Sequence, residues 1–263
     1  MFYALLKNKD NTDKREEALQ ALAELRADFA IQHACKGFKI DVDEALQLIK
    51  NMDDNTLTKE DREKRDRISA AVDNLVEFSV CAEYQLLKKA LDLKPGSINF
   101  EDEEEMDEYE DLCSKYNKIY AAVENDDIEY AMLMAWQWLR YHENTYLTYW
   151  TQNDDRVRPW HYALQGFTAK RDDFPSWMIP PIEWACRCFL ISSNDAMGNA
   201  DIKNIQAKAP QKPKELDGVF SESVCKCGRI FSKSHPYFDV DKADKPMLKR
   251  LVKNIMEKYY GEG

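Results

Sequence analysis

The chain has 263 residues, of which 44% are hydrophobic, 11% are aromatic and 32% are charged. This apolar content is enough to bury one sizeable core or two small ones, and it excludes intrinsic disorder for most of the chain. The net charge of −11 and the pI near 5.0 disfavour a general phosphate-binding surface, and a chain with only eight glycines and nine prolines is not expected to form a turn-rich all-β fold.

The sequence predicts a protein that does not contact membranes. No run of about eighteen uncharged apolar residues occurs, so no transmembrane helix is expected. The first residues do not have the pattern of a secretory signal. Seven cysteines, an odd number without an export signal, indicate thiols made in a reducing cytosol.

The first predicted helix covers residues 13–35. Asp13 and Glu16 have the spacing of a capping box, and Gly37 can end the helix in a left-handed conformation. Four apolar residues recur at helical spacing and predict the buried stripe: Leu19, Leu22, Leu25 and Phe29.

Two further helices are predicted before residue 100. A short one covers residues 42–52, with Asp41 as its cap. A long one opens at Thr58 and stops at Pro95 and Gly96.

The middle of the chain predicts two more helices, over residues 103–123 and 127–150. An acidic run at the start of the first offsets its dipole, and Asp126 and Asp127 are the predicted caps of the second. The second helix is unusually aromatic. Such a stripe is usually core, but these aromatics would surround the helix, so we expect some of them to contact a partner: Trp136, Trp138, Tyr141, Tyr149 and Trp150.

The sequence pattern changes after residue 150. Residues 184–192 predict a buried strand, residues 193–216 a linker, and residues 245–260 a closing helix, with short β segments near Ile230 and Tyr237. The predicted class is α+β, mostly helical, with long N-terminal helices and a small β-sheet in the C-terminal third. We divide the chain into a helical N-terminal region at 1–100, a central domain at 101–192, and a linker and tail at 193–263.

Motifs of common enzyme classes are missing from the sequence. It contains no GxGxxG, GxxxxGK, GxSxG or HExxH. The acids between residues 101 and 111 are consecutive, so they lack the separated pair that acid–base hydrolysis needs. These observations predict a protein that is not an enzyme.

One constellation of polar residues is informative, in the segment YWTQNDDRVRPWHYALQGF. Arg158 and His161 are three residues apart and share a face if they lie on a helix. Asp154 or Asp155 can cap that helix or form an ion pair with Arg158. Gly166 permits a sharp turn. The constellation predicts a structural joint in preference to a catalytic site.

A Cys-Arg-Cys sequence follows in FPSWMIPPIEWACRCFLI. On a strand, Arg187 points away from the face that carries Cys186 and Cys188. The ordered set of an acid, Arg-x-x-His, a glycine, a proline-containing approach through Pro180 or Pro181, and Cys-Arg-Cys resembles the phage Mu F-like head morphogenesis family. The resemblance covers residues 109–192. Members often carry a histidine shortly before Cys-Arg-Cys, where this chain has Ile182, Glu183 and Trp184.

The cysteines also raise the question of a metal. Cys186, Cys188, Cys225 and Cys227 offer the four thiolates of a structural zinc, although Cys-x-Cys is tighter than the usual Cys-x2-Cys spacing. The alternatives are buried or idle thiols, or one redox-sensitive pair. His161 and His235 are substitute ligands, and no other cofactor is expected.

The resemblance implies a minor head protein in the virion, in the capsid interior or near the portal, assembled in the host cytoplasm. The implied partners are the portal and the capsid or scaffold proteins. From residue 208 onward, twelve Lys and Arg face eight Asp and Glu, so a contact with packaged DNA is also considered. The alternatives are a small transferase or hydrolase that uses Arg158 and His161, and a zinc-stabilised binding module.

Overall fold

The computed structural model describes residues 1–8, 10–51, 53–93, 98–192, 210–214 and 216–261. The helices and strands in chain order are α1 (Phe2–Lys7), α2 (Thr12–Phe38), α3 (Val42–Lys50), α4 (Lys59–Leu93), α5 (Glu103–Ser114), a π-helical segment (Lys115–Tyr120), α6 (Ala121–Arg140), β1 (Tyr146–Trp150), α7 (Pro159–Tyr162), β2 (Thr168–Lys170), β3 (Phe189–Ser192) and α8 (Lys245–Tyr260). Single 3-10 turns lie at Ser176–Met178, Val224–Lys226 and Pro236–Phe238. The predicted α+β, mostly helical class is confirmed.

Helix α2 lies where it was predicted, but the residues that cap its two ends are different from the predicted ones. The Asn11 side chain caps it by accepting from the Lys14 N–H, so the predicted capping box of Asp13 and Glu16 is wrong. Lys39, with φ of 58°, provides the left-handed end that was predicted for Gly37. Leu19 and Leu22 of the predicted stripe are buried, but Leu25 and Phe29 are 47% and 51% exposed.

Gly37 lies inside α2, at the crossing with α6. A Cβ at this position would lie 2.0 Å from the backbone oxygen of Glu129. The glycine is therefore required by a close approach of two helices, not by a turn.

The predictions for α3 and α4 are confirmed at their starts. The Asp41 side chain accepts from the Asp43 N–H, and the Thr58 hydroxyl accepts from the Asp61 N–H. Helix α3 ends at Lys50, short of the predicted Met52. Helix α4 is described to Leu93, and the predicted stop at Pro95 and Gly96 lies outside the described residues.

The middle of the chain differs most from its prediction. Helix α5, the π-helical segment and α6 follow one another without a break, so Asp126 and Asp127 lie inside a helix and are not its caps. The helix ends at Arg140 instead of Trp150. Residues 146–150 form strand β1, because a Thr flanked by large aromatic and aliphatic residues suits a pleated, half-buried surface.

The sheet has three antiparallel strands in the order β2-β1-β3. Thr148 at its centre pairs with Thr168 on one side and Ile191 on the other, and the two threonine hydroxyls lie 2.8 Å apart. The predicted strand at 184–192 is shortened to Phe189–Ser192, because Ala185 has φ of 54° and bends the chain before it. The β segments predicted near Ile230 and Tyr237 are wrong, since that region forms turns.

The buried apolar residues form one continuous cluster that includes residues from Phe2 to Tyr259. Helix α2 packs against both α4 and α6, and α8 packs against α4. The cluster includes residues from all three predicted ranges, and the domain division stays a prediction; most of its linker lies outside the described residues. Among the described helices, none combines the length and the apolar content that a membrane crossing requires.

A charged group lies inside this core. Arg26 of α2 donates to Glu83 of α4 at 2.7 Å and to Glu124 of α6 at 2.8 Å. It also donates to the Tyr116 carbonyl and the Asn117 side chain, at 3.1 and 2.6 Å. Burial raises the pKa of Glu124, against the opposing effect of Arg26. The π-helical segment is therefore held to α2 by one guanidinium.

Candidate functional site

The sheet brings the two halves of the polar constellation together. Strand β1 is central, and its last residue, Trp150, pairs with Phe189, the first residue of β3. The turn after β1 and the Cys-Arg-Cys sequence before β3 therefore lie at the same end of the sheet. The one-turn helix α7 follows that turn, with Pro159 at its first position.

Glu183 connects the two predicted motif residues of α7. Its Oε2 lies 3.0 Å from the Arg158 Nε and 3.3 Å from the His161 Nε2. Arg158 also donates to the Trp184 carbonyl at 2.9 Å. The predicted partner of Arg158 was Asp154 or Asp155, and this is wrong: the acid that pairs with Arg158 is Glu183, from the segment that leads into β3.

Asp154 pairs with Arg187 instead. Two N–H groups of Arg187 donate to the two carboxylate oxygens, at 2.8 and 2.7 Å. These hydrogen bonds hold the pKa of Asp154 below its usual value. Both side chains are partly exposed, whereas Cys186 and Cys188 are buried, as the alternation along a strand predicts. Asp155 is exposed.

Three nucleophilic side chains meet behind this surface. His161 Nδ1 lies 3.3 Å from the Cys188 sulfur and 3.9 Å from the Cys186 sulfur. The exposed fractions of His161, Cys186 and Cys188 are only 2%, 4% and 2%. The Cys188 thiol donates a hydrogen bond to Cys186, which lowers the pKa of Cys186 well below its usual value and raises that of Cys188.

Three residues whose place beside this cluster was not predicted from the sequence surround it. Both oxygens of Asp127 accept from the Ala185 N–H, at 3.1 and 2.9 Å. Burial raises the pKa of Asp127 to about 7, against the opposing effect of this hydrogen bond. The Tyr130 hydroxyl donates to the Cys188 carbonyl, and the fully buried Tyr149 hydroxyl lies against the Cys188 sulfur.

Little in the sequence indicated these roles. Asp127 was interpreted as a helix cap because it follows Asp126 and precedes an apolar run. Asp127 points into the core only because the helix continues through this residue. Glu183 was noted only as one of three residues at which the chain departs from the family pattern, and nothing in the sequence indicated its contact with Arg158 and His161.

The predicted site of four cysteines is not formed. Among the described residues, the group that can gather three metal ligands is His161, Cys186 and Cys188, and neither Cys225 nor Cys227 joins it. The Cys227 sulfur accepts from Arg67 at 2.8 Å, and burial raises the pKa of Cys225 to about 12. Two Cys-x-Cys sequences far apart in the chain do not have to meet, and here the turn that carries the second packs against α6 and α4.

His235, the other candidate ligand, lies among aromatic side chains. Its Nδ1 accepts from the Tyr237 N–H at 3.1 Å. Burial lowers its pKa to about 4. The ring therefore stays neutral and caps a turn.

Gly166 has the predicted role in a turn. Its φ is 86°, and its N–H donates to the Tyr149 carbonyl at 2.9 Å. A Cβ would meet nothing within 4 Å, so the backbone angle alone favours glycine.

The aromatic residues predicted to contact a partner are mostly covered within the chain. Trp138 and Tyr149 are buried, and Trp136, Tyr141 and Trp150 are half-buried. Lys39 and Arg140 both lie over the Trp136 ring, at 4.9 and 4.6 Å from its centre. The prediction assumed one helix through residue 150, and the strand at 146–150 removes the argument that these rings surround a helix.

Comparison with known proteins bears on this segment. Residues 93–191 match the family model described as Phage Mu protein F like protein. This segment is similar to that family, and we call residues 93–191 the Mu F-like region. It contains every residue of the polar constellation from Asp154 to Cys188 and excludes Cys225 and Cys227. No curated protein and no solved structure matches the chain.

The Mu F-like region starts at the end of α4 and ends inside β3. It therefore comprises the continuous helix of α5 and α6, the sheet, and the cluster at the end of the sheet. The resemblance predicted from residues 109–192 is confirmed over residues 93–191.

Proposed function

We propose that this chain is a minor head protein of a tailed bacteriophage, with a structural role inside the capsid or at the portal. The observation that carries the proposal is the Mu F-like match over residues 93–191. The proposed partners are the portal and the capsid or scaffold proteins. Assembly in the host cytoplasm and retention in the virion follow from the same role.

The burial of the site supports a structural role over an enzymatic one. His161 lies between Glu183 and Cys188, which is the order of an acid, a base and a nucleophile. However, His161 and Cys188 are each only 2% exposed, so a substrate has no access unless the chain opens. The arrangement instead ties α7 to the segment that enters β3.

We place the partner contact on the π-helical segment and the start of α6. Ile119, Tyr120 and Val123 are 62%, 36% and 40% exposed. Tyr120 and Val123 border an apolar cavity of about 340 Å³, whose lining also includes Trp184 and Tyr237. Exposed apolar residues beside an aromatic-lined recess suit a side chain or helix of a head protein.

The contact with packaged DNA has weaker support. The basic residues of the tail are partly neutralised within the chain. Arg250 pairs with Glu16, and Lys258 pairs with Asp28 at 2.7 Å. Ion pairs of this kind leave fewer free cations for phosphate groups.

The main test is mass spectrometry of purified virions. The expected result is this chain at low copy number in mature heads, with a loss of infectious particles when its gene is disrupted. Absence of the chain from both procapsids and virions would overturn the proposal.

The contact surface has its own test, with a matched control. Ile119→Glu should leave the melting temperature unchanged and reduce incorporation into heads. Leu25→Glu changes a residue of α2 that is 47% exposed, and it should do neither. Equal incorporation of both variants at the wild-type level would exclude this surface.

A further inference from the structure

The geometry of His161, Cys186 and Cys188 is that of a metal site. Their three ligand atoms all lie within 4.8 Å of one another. A tetrahedral Zn²⁺ with Zn–S of about 2.3 Å and Zn–N of about 2.0 Å places sulfur and nitrogen about 3.5 Å apart. The two distances from His161 Nδ1 to the sulfurs, 3.3 and 3.9 Å, bracket that value.

The surroundings of His161 orient it for this role. Its Nε2 lies 3.3 Å from Glu183, whose carboxylate Arg158 holds at 3.0 Å. A proton on Nε2, shared with this carboxylate, leaves the Nδ1 lone pair directed at the sulfurs. Metal-bound histidines in proteins are commonly held by a carboxylate in this way.

A second observation is the hydroxyl of Tyr149. It is fully buried and has no well-formed hydrogen bond within the described part of the chain. The Cys188 sulfur lies against it. A metal-bound thiolate is a stronger acceptor than a neutral thiol, so a bound cation would give this hydroxyl its missing acceptor.

The backbone next to Cys186 is held in place by contacts that do not require a metal. Ala185 adopts φ of 54°, and both oxygens of Asp127 accept its N–H. This contact anchors the residue before Cys186 to α6. The thiol pair is thus positioned from two elements and does not depend on a mobile loop.

We propose that His161, Cys186 and Cys188 bind one Zn²⁺, which joins α7 to the segment that enters β3. The three ligands leave one tetrahedral position for water or an exogenous group. Two thiolates and an imidazole select zinc over magnesium or calcium, which prefer oxygen ligands. The site is independent of the proposed role in the head.

The first experiment measures metal in the purified full chain. The expected result is about one zinc per chain, removed by a chelator and restored by added Zn²⁺, together with a higher melting temperature of the loaded form. Loading with Co²⁺ should give the visible absorption of a tetrahedral site and a thiolate charge-transfer band. A wild-type chain that takes up neither ion would overturn the proposal without reference to any variant.

The second experiment assigns the ligands. Cys186→Ser and Cys188→Ser should abolish stoichiometric binding and the charge-transfer band. Cys225→Ser, at a buried cysteine outside the cluster, should retain both. Equal loss in Cys225→Ser would contradict the assignment.

Glu183→Gln tests the orientation of His161 without removing a ligand. It should weaken zinc affinity about 10- to 100-fold while the cobalt spectrum keeps its shape. An unchanged affinity would mean that the carboxylate does not support the site. Failure of metal binding would leave the virion experiment unaffected, so the two proposals can be rejected separately.

Discussion

Arg187 donates two hydrogen bonds to Asp154, while Arg158, close to Asp154 in sequence, pairs with Glu183. The exchange of partners has a geometric cause. The turn after β1 directs Asp154 along the sheet end, towards the Cys-Arg-Cys segment. Arg158, at the start of α7, faces the residue that precedes that segment by a few positions.

A double-mutant cycle tests this pairing. Asp154→Asn and Arg187→Met should be coupled, so that the second change has a smaller effect on the melting temperature after the first. Asp154→Asn and Arg158→Met should be additive. High salt should weaken the first pair, because both side chains are partly exposed. Coupling of Asp154 to Arg158 would contradict the structure.

The buried Arg26 predicts a large effect on stability. Arg26→Met leaves the carboxylates of Glu83 and Glu124 close together in the core without a counter-charge. The expected loss is about 3–5 kcal/mol in the free energy of unfolding, measured by urea denaturation.

The matched control for Arg26 removes the charges as well. The triple variant Arg26→Met, Glu83→Gln, Glu124→Gln should recover part of that loss, since no buried charge remains unpaired. A single variant as stable as the wild type would show that the network does not contribute to folding.

Two glycines predict different costs for the same substitution. Gly37→Ala places a methyl group 2.0 Å from the Glu129 carbonyl oxygen, so α2 and α6 must separate. We expect a loss of about 3 kcal/mol or more. Gly166→Ala meets open space and should lose about 1–2 kcal/mol from its left-handed backbone alone. A smaller loss for Gly37→Ala than for Gly166→Ala would contradict the close crossing.

His235 predicts a dependence of stability on pH. Its pKa is lowered by burial to about 4, from an ordinary value of 6.5. The unfolded chain therefore binds the proton more readily than the folded chain. The contribution of the neutral His235 ring to the free energy of unfolding is fully present above pH 6.5. It is lost as pH falls towards 4, by up to about 3 kcal/mol.

The control for His235 keeps its hydrogen bond but does not titrate. His235→Asn can still accept from the Tyr237 N–H, as asparagine does in turns. The difference in unfolding free energy between pH 7 and pH 5 should be smaller in this variant than in the wild type. Equal differences would show that the imidazole does not carry the pH dependence.

The fold could be predicted where the signal is local. The starts of α3 and α4 are set by Asp41 and Thr58, which bond to the next turn of their own helix. The closing helix follows from apolar residues at a spacing of three and four, and it was predicted with the observed ends. These features need no knowledge of the rest of the chain.

Other features depend on contacts that a sequence pattern does not contain. Residues 141–145 separate α6 from β1 without a proline or glycine, so the aromatic pattern suggested one continuous helix. The pairing of Arg158 with Glu183 joins two segments, after β1 and before β3, that only the folded sheet brings together. The cluster of His161 with the two cysteines was predicted only as a substitute arrangement, because distances between segments decide which thiols meet.

The crossing of α2 over α6 has a consequence for inheritance. Residues 93–191 are one unit when sequences are compared, but Glu124 and Glu129 within this unit rely on Arg26 and Gly37 outside it. A recombination event that exchanged only residues 93–191 would bring in new residues at positions 124 and 129 without the matching residues at positions 26 and 37. Chimaeras should therefore be viable when the breakpoint precedes α2, and the helical first part and the Mu F-like region should be inherited together.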